Sequence, residues 1–315
     1  MSDFVSRLGS VCAVLVTPMD AEGTLDLDSL HRLVAATAAS RAGTITLGGS
    51  VGEFLALTAR ERRAMLAVAV AAAGSTPVIT AVGGPVRSAI EDAVDAAEKG
   101  AAAVMVHQPA NPFASASGWL AYHQELADAV GPMPVVLYLR DPAIGASVLA
   151  ELPANVVGVK HAVADPAVLA ALTTALGERF VWLCGLAEKW APFAWQAGAT
   201  GFTSGLAQLD DTIPQQLLDA LRAGDQAAVR RTWAAAARFE DLRARRGGAA
   251  SVGVLKTALV AAGLIETATV RAPVGGLTQG EHELVGALLA DTTWSPRAGS
   301  TGWPAGTTTG SSTTG

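Results

Sequence analysis

Asn155-Val-Val-Gly-Val-Lys160-His161 is a short apolar run, rich in β-branched residues, with Pro153 before it and Asp165-Pro166 after it. This pattern predicts a strand buried on both faces. A lysine stands near its end. Burying an ammonium group is costly, so such a lysine either pairs with a carboxylate or gives up its proton. A desolvated lysine with a lowered pKa is the nucleophile of Schiff-base chemistry on carbonyl compounds. The plainer reading is a lysine that leaves the sheet edge and reaches solvent.

Similar runs flank this one on both sides. Val11-Cys-Ala-Val-Leu-Val16, Thr44-Ile-Thr-Leu47, Pro77 to Val82, Ala102 to Val106 and Pro134-Val-Val-Leu-Tyr138 precede it. Phe180-Val-Trp-Leu-Cys184 and Ala199 to Ser204 follow. Helical patterns separate them, among them Asp26 to about Arg41, Arg87 to Lys99, Trp119 to Val130, a short Ala146 to Leu152, Asp165 to Leu176 and Ala187 to Gln196. Thr58-Ala-Arg-Glu61 is a capping box ahead of another. Continuous apolar strands joined by helical crossovers belong to parallel sheets. Eight such repeats predict an α/β protein with a (β/α)8 TIM-barrel architecture over residues 1–210. A doubly wound sheet is the competing arrangement. It calls for a dinucleotide fingerprint after the first strand, and Val11 to Pro18 has none. Helices dominate from about Thr212 to Ala290, which predicts a C-terminal helical extension (211–290) packed on the barrel. Residues 291–315, rich in Thr, Gly and Ser, read as a disordered tail.

The chain has 315 residues, 50% of them apolar, and a net charge of −6. That balance carries no basic footprint for nucleic acid and no lysine-rich run for an anionic membrane. The longest nearly uncharged apolar stretch, Ala64 to Gly74, is too short to span a bilayer. Met1 to Ser10 lacks the layout of a secretory signal. Cys12 and Cys184 both lie in strand-like runs and read as buried reduced thiols. The expectation is a cytoplasmic protein.

In such barrels the active site lies at the C-terminal ends of the strands. That rule selects Gly48 to Glu53, His107 to Phe113, Tyr138 to Asp141, Lys160-His161, Gly185 and Thr203-Ser204. The turn at Gly48-Gly49-Ser50-Val51-Gly52 is too short for a P-loop and lacks its lysine. Its backbone N–H groups could still hold a carboxylate, although a plain tight turn explains it as well. Tyr138 reads as a proton shuttle or as a core residue with its hydroxyl at the rim. Arg140 points to the same side as Tyr138 if the strand continues. It then either binds an anionic substrate or pairs with Asp141 or Glu53. His107 and His161 could serve as ligands or bases, but no third ligand stands at metal-site spacing, so no metal is expected.

At these residues the chain resembles the pyruvate-type class I aldolase superfamily, which includes dihydrodipicolinate synthase and N-acetylneuraminate lyase. The resemblance runs from about Val11 to Leu289. It is carried by Val16-Thr-Pro18, Gly49-Ser-Val-Gly-Glu-Phe54 with Leu57-Thr58, the strand-five Tyr138, and Val157-Gly-Val-Lys160. It implies an imine-forming Lys160, a proton-relaying Tyr138, no cofactor, and a homo-oligomer, dimer or tetramer. Ser50 and Val51 occupy the place of the usual pair of hydroxyl residues, and Val51 has no hydroxyl to offer. Where dihydrodipicolinate synthases have an arginine five positions after the tyrosine, this chain has Ala143. Its strand-four loop, His107-Gln-Pro-Ala-Asn-Pro-Phe113, has no second tyrosine.

Arg140-Asp141, Gly185-Leu186, Thr203-Ser204, Leu242-Arg-Ala-Arg-Arg246 and Val270-Arg-Ala-Pro273 are similar to 5-dehydro-4-deoxyglucarate dehydratases. Val51, the His107 loop and His161 depart from that subgroup. The resemblance implies a Schiff-base lyase, a dehydratase acting on a small α-keto acid of the 2-keto-3-deoxy sugar-acid type, with or without loss of CO2. Lys160, Tyr138 and Ser50 are then the catalytic candidates. Gly49, Val51, Arg140, Gly185, Thr203 and Ser204 are the substrate-binding candidates, Arg140 and Ser204 at the distal end. The alternatives are a pyruvate-releasing retro-aldolase built on the same imine, and a catalytically silent barrel used as a binding module.

Overall fold

A computed structural model describes residues 2–290. After α1 (Ser2–Leu8), strands and helices alternate. They are β1 (Val11–Val14), α2 (Leu27–Ala38), β2 (Thr44–Leu47), α3 (Ala59–Ala72), β3 (Val78–Val82), α4 (Val86–Glu98), β4 (Ala103–His107) and α5 (Ala116–Ala129). Then come β5 (Val135–Leu139), α6 (Ala146–Ala150), β6 (Val156–His161), α7 (Pro166–Leu176), β7 (Val181–Cys184), α8 (Ala187–Gln196) and β8 (Gly201–Ser204). Helices α9 (Thr212–Ala223), α10 (Gln226–Arg243), α11 (Ser251–Ala261) and α12 (Gln279–Leu289) follow. The tail expected beyond Ala290 lies outside the described residues.

The eight strands are parallel and close on themselves, Cys12 of β1 standing opposite Thr203 of β8. This is the (β/α)8 barrel expected from the apolar runs. Period-two alternation sorts each strand between two cores. Ala13, Ile45, Val104, Leu137 and Val159 face the helices, whereas Cys12, Ile79, Met105, Val136 and Tyr138 face the barrel axis. Phe4 and Leu8 of α1 join the axial core and close its lower end. The sequence reading had no helix there. Gly158 on β6 makes room for it, since a Cβ at that position would come within 2.7 Å of Leu8 Cδ2.

Local signals explain where the helices begin. Asp26 caps α2 by accepting from the Ser29 N–H, and Thr58 and Glu61 form the expected capping box on α3. Helix α9 packs against α8, β1 and α10, and α10 packs in turn against α8, α11 and α12. The end of α10 is thereby carried to the barrel mouth beside β8. No helix among the described residues is long and apolar enough to cross a membrane.

Candidate active site

A cavity of about 270 Å³ opens at the C-terminal ends of the strands. Lys160 and Tyr138 share its wall because they are register partners on β6 and β5, both turned toward the axis. Lys160 is 4% exposed, and its Nζ lies 4.0 Å from the centroid of the Tyr138 ring. The Tyr138 hydroxyl is 2.9 Å from Ser50 Oγ, closing a chain of lysine, phenol and serine. Burial works to raise the phenol's pKa. The Lys160 charge, the Ser50 hydrogen bond and Arg140 outweigh it and bring the group below its usual value.

Ser50 is held in place by the turn that carries it. Ser50–Gly52 is a single 3-10 turn after β2, and the Thr17 hydroxyl donates to the Gly52 carbonyl at 2.7 Å. Glu53 follows in the left-handed region (φ 56°). Its carboxylate turns into the interior and meets Lys256 of α11 at 2.5 Å, with both side chains fully buried. It also accepts from the Arg271 N–H at 2.9 Å. Arg271 in turn donates to Glu61 and to the Ala56 carbonyl. The C-terminal helices are therefore tied to the loop that presents Ser50. On the other side, His107 Nε2–H donates to the Gly48 carbonyl at 2.9 Å and its ring stacks on Phe54 at 4.3 Å. Burial pulls the His107 pKa down to about 4, so it is neutral at pH 7 and acts as a prop for the loop.

Ser50, Val51, Tyr138, Lys160, Gly185 and Thr203 all line the cavity. Gly185 has a steric reason to be glycine. A Cβ there would come within 3.0 Å of Lys160 Cγ and 2.9 Å of the His161 carbonyl. The Thr203 hydroxyl is committed to the Cys184 carbonyl at 3.3 Å. Three other expected residues do not reach the cavity wall. Gly49 is buried against Val14 beneath the turn. Arg140 lies just past the end of β5 and is exposed, its guanidinium 5.8 Å from the Tyr138 ring centroid. Ser204 faces outward, where its hydroxyl donates to Glu188 and accepts from the Ala207 N–H at 2.8 Å. His161 also faces away from the cavity. Burial draws its pKa down to about 4, with Asp165 opposing.

The sequence reading missed the outer wall, which is formed by Lys189 and Trp190 of α8, Glu240 and Arg243 of α10, and Gly248 and Ser251. A strand-end rule cannot find residues supplied by a later helix. The signals available were the Leu242-Arg-Ala-Arg-Arg246 run, quoted above for its resemblance alone, and the Glu240/Arg243 pair at i,i+3 on a helix face that is otherwise buried. A second cavity of about 300 Å³, walled by Val252, Pro273 and Val274, adjoins the first at Ser50, Val51, Gly248 and Ser251. No group of three or more His, Cys, Asp or Glu side chains placed to hold a metal ion occurs among the described residues.

Comparisons with known proteins agree with this fold. The chain is 31% identical over 289 residues to a probable 5-dehydro-4-deoxyglucarate dehydratase of Azotobacter vinelandii, covering 87% of this chain and 92% of that one. It is 33% identical over 227 residues to a 4-hydroxy-tetrahydrodipicolinate synthase of Exiguobacterium sibiricum, covering 69% and 76%. The crystal structure of dihydrodipicolinate synthase from Bacillus clausii superposes with a TM-score of 0.86 at 33% identity, over 90% of this chain and 98% of the other. The profile of the dihydrodipicolinate synthetase family matches residues 7–292, and the chain belongs to that family.

Proposed function

We propose that this protein is a Schiff-base-forming lyase that dehydrates a 2-keto-3-deoxy sugar acid of the 5-dehydro-4-deoxyglucarate type, with or without loss of CO2. The observation that carries this reading is the buried Lys160 amine, 4.0 Å from the Tyr138 ring, with the phenol bonded to Ser50 at the cavity wall. In its neutral form, Lys160 adds to the C2 ketone and the carbonyl oxygen departs as water, leaving an imine. The protonated imine nitrogen withdraws electrons, so a C3 proton is lost and the C4 hydroxyl leaves as a second water. Tyr138 and Ser50 move the protons these steps require. Val51 offers only its backbone N–H, so the substrate carboxylate is held by the main-chain N–H groups of Ser50 and Val51, the Gly52 N–H being bonded to the Gly49 carbonyl.

Ala143, the His107 loop and the likeness to dehydratases favour dehydration over condensation with a second aldehyde substrate. The 33% identity to a 4-hydroxy-tetrahydrodipicolinate synthase supports a second reading, C–C bond cleavage that releases pyruvate from the same imine. Product analysis separates the two. Dehydration returns the carbon chain less water, with or without CO2, whereas cleavage yields pyruvate. We also propose a cytoplasmic homo-oligomer, dimer or tetramer, which light scattering of the purified protein would measure.

A further inference from the structure

Lys256 of α11 lines neither cavity at the barrel mouth, yet it is fully buried and its charge meets the Ser50 loop. Its Nζ stands 2.5 Å from Glu53 Oε1 and donates to the Thr269 carbonyl at 2.5 Å. Apart from that ammonium, Glu53 Oε1 has no partner among the described residues. Glu53 Oε2 accepts the Arg271 N–H at 2.9 Å, and the Arg271 side chain is fastened to the Gly23 and Ala56 carbonyls. Both carboxylate oxygens are thus fixed from the C-terminal section.

The backbone of Glu53 holds Ser50 in its turn. Its N–H donates to the Ser50 carbonyl at 3.2 Å, and its own carbonyl accepts the Ala56 N–H at 2.8 Å. Between these bonds Glu53 sits in the left-handed region, which a residue other than glycine keeps only where its surroundings hold it there. Tyr138 is set by strand register, whereas Ser50 lies on a 3-10 turn beyond the end of β2. His107 and Thr17 secure that turn at Gly48 and Gly52, and Glu53 secures Ser50 itself. The links run unbroken from the Lys256 ammonium through Glu53 and the Ser50 backbone to the Tyr138 phenol.

We propose that Lys256 is a positioning residue for the chemistry at Lys160: by holding Glu53 it sets the Ser50 hydroxyl against the Tyr138 phenol. A buried ion pair adds little stability over well-packed apolar side chains of the same size, so what this pair contributes is position. The inference rests on the reading that Ser50 and Tyr138 relay protons while the imine forms.

The test replaces the pair by two apolar side chains of similar length, Glu53→Met with Lys256→Met, so that no charge is left buried alone. Ser50→Ala and the triple variant complete the set, and circular dichroism confirms the fold of each. The first readout is the rate of borohydride trapping of pyruvate on Lys160. It should fall about tenfold or more in the double variant. The triple variant should be no slower than Ser50→Ala alone. The second readout needs no substrate. The chain has two tyrosines, and burial raises Tyr122 to about 12. At Tyr138 burial is outweighed by Lys160, the Ser50 hydrogen bond and Arg140, so this phenol titrates first. Its ultraviolet titration should move up toward 10 in the double variant, as in Ser50→Ala. A folded double variant whose trapping rate and tyrosine titration both match the unmodified protein overturns the proposal. So does a triple variant slower than Ser50→Ala by the full effect of the pair. If the unmodified protein traps no pyruvate, the lyase reading falls. The tyrosine titration then decides the Lys256 link alone, an upward move supporting it and an unchanged midpoint refuting it.

Discussion

Lys160 and Tyr138 face each other across the β5–β6 ladder, which sets the amine 4.0 Å from the phenol ring centroid. Neither residue depends on a loop for its position. Both are held by strand register, so the amine and the phenol keep a fixed geometry.

Tyr138→Phe keeps the ring and removes the hydroxyl that reaches Ser50. General acid–base relays contribute about 10²–10⁴ in rate. Turnover should fall within that range while KM changes little, because the ring still shapes the cavity. Ser50→Ala should show a smaller loss in the same direction. Steady-state kinetics with each variant check both.

Gly185→Ala introduces a methyl group 3.0 Å from Lys160 Cγ, with the His161 carbonyl 2.9 Å away on backbone that cannot swing aside. The lysine must move off its partner. Imine trapping should slow by tenfold or more even though the nucleophile is still present, and quantitative mass spectrometry over time reads this.

The buried Glu53–Lys256 pair joins the Ser50 loop to α11. Lys256→Met leaves the Glu53 carboxylate buried without its cation, which costs about 3–5 kcal/mol. Urea denaturation should show a loss of this size. Glu53→Gln with Lys256→Met removes both charges and should recover part of it.

Stability should depend on pH with opposite slopes on the two sides of neutrality. Burial lowers the His123 pKa to about 4, and its Nδ1–H donates to the Trp119 carbonyl. The unfolded chain therefore takes up that proton first, and the associated stability is lost as pH falls from about 6.5 toward 4. His107 and His161 act in the same direction. Glu188 has the opposite sign. Its pKa is raised to about 8 in the fold, so its contribution is complete below about 4.5 and is lost as pH rises through 8. Thermal melts from pH 4 to 9 should peak between these limbs. His123→Gln should flatten the acid limb, and Glu188→Gln the alkaline one.

The strands were legible in the sequence because a parallel sheet buried on both faces reads as uninterrupted apolar runs. That Lys160, Tyr138 and Ser50 line one cavity was legible because strand ends in a barrel converge on one mouth. Arg140 stands one residue past Leu139, the end of β5, so its guanidinium comes to 5.8 Å from the Tyr138 ring centroid from the exposed rim and not from the cavity wall. Thr203 and Ser204 are neighbours on one strand and must face opposite ways, so only Thr203 meets the cavity. Arg243 and Glu240 could not be foreseen from periodicity, since their approach to β8 depends on how α10 packs across the barrel. The short α1 escaped notice because only Phe4 and Leu8 of its residues are buried.

Borohydride reduction in the presence of pyruvate or a 2-keto-3-deoxy sugar acid, followed by peptide mass spectrometry, tests the central claim most directly. The account predicts one adduct, on Lys160, with the mass of the keto acid less water plus two hydrogens, and none in Lys160→Ala. An active preparation that turns over substrate without any such adduct, or with it on another lysine, contradicts the account.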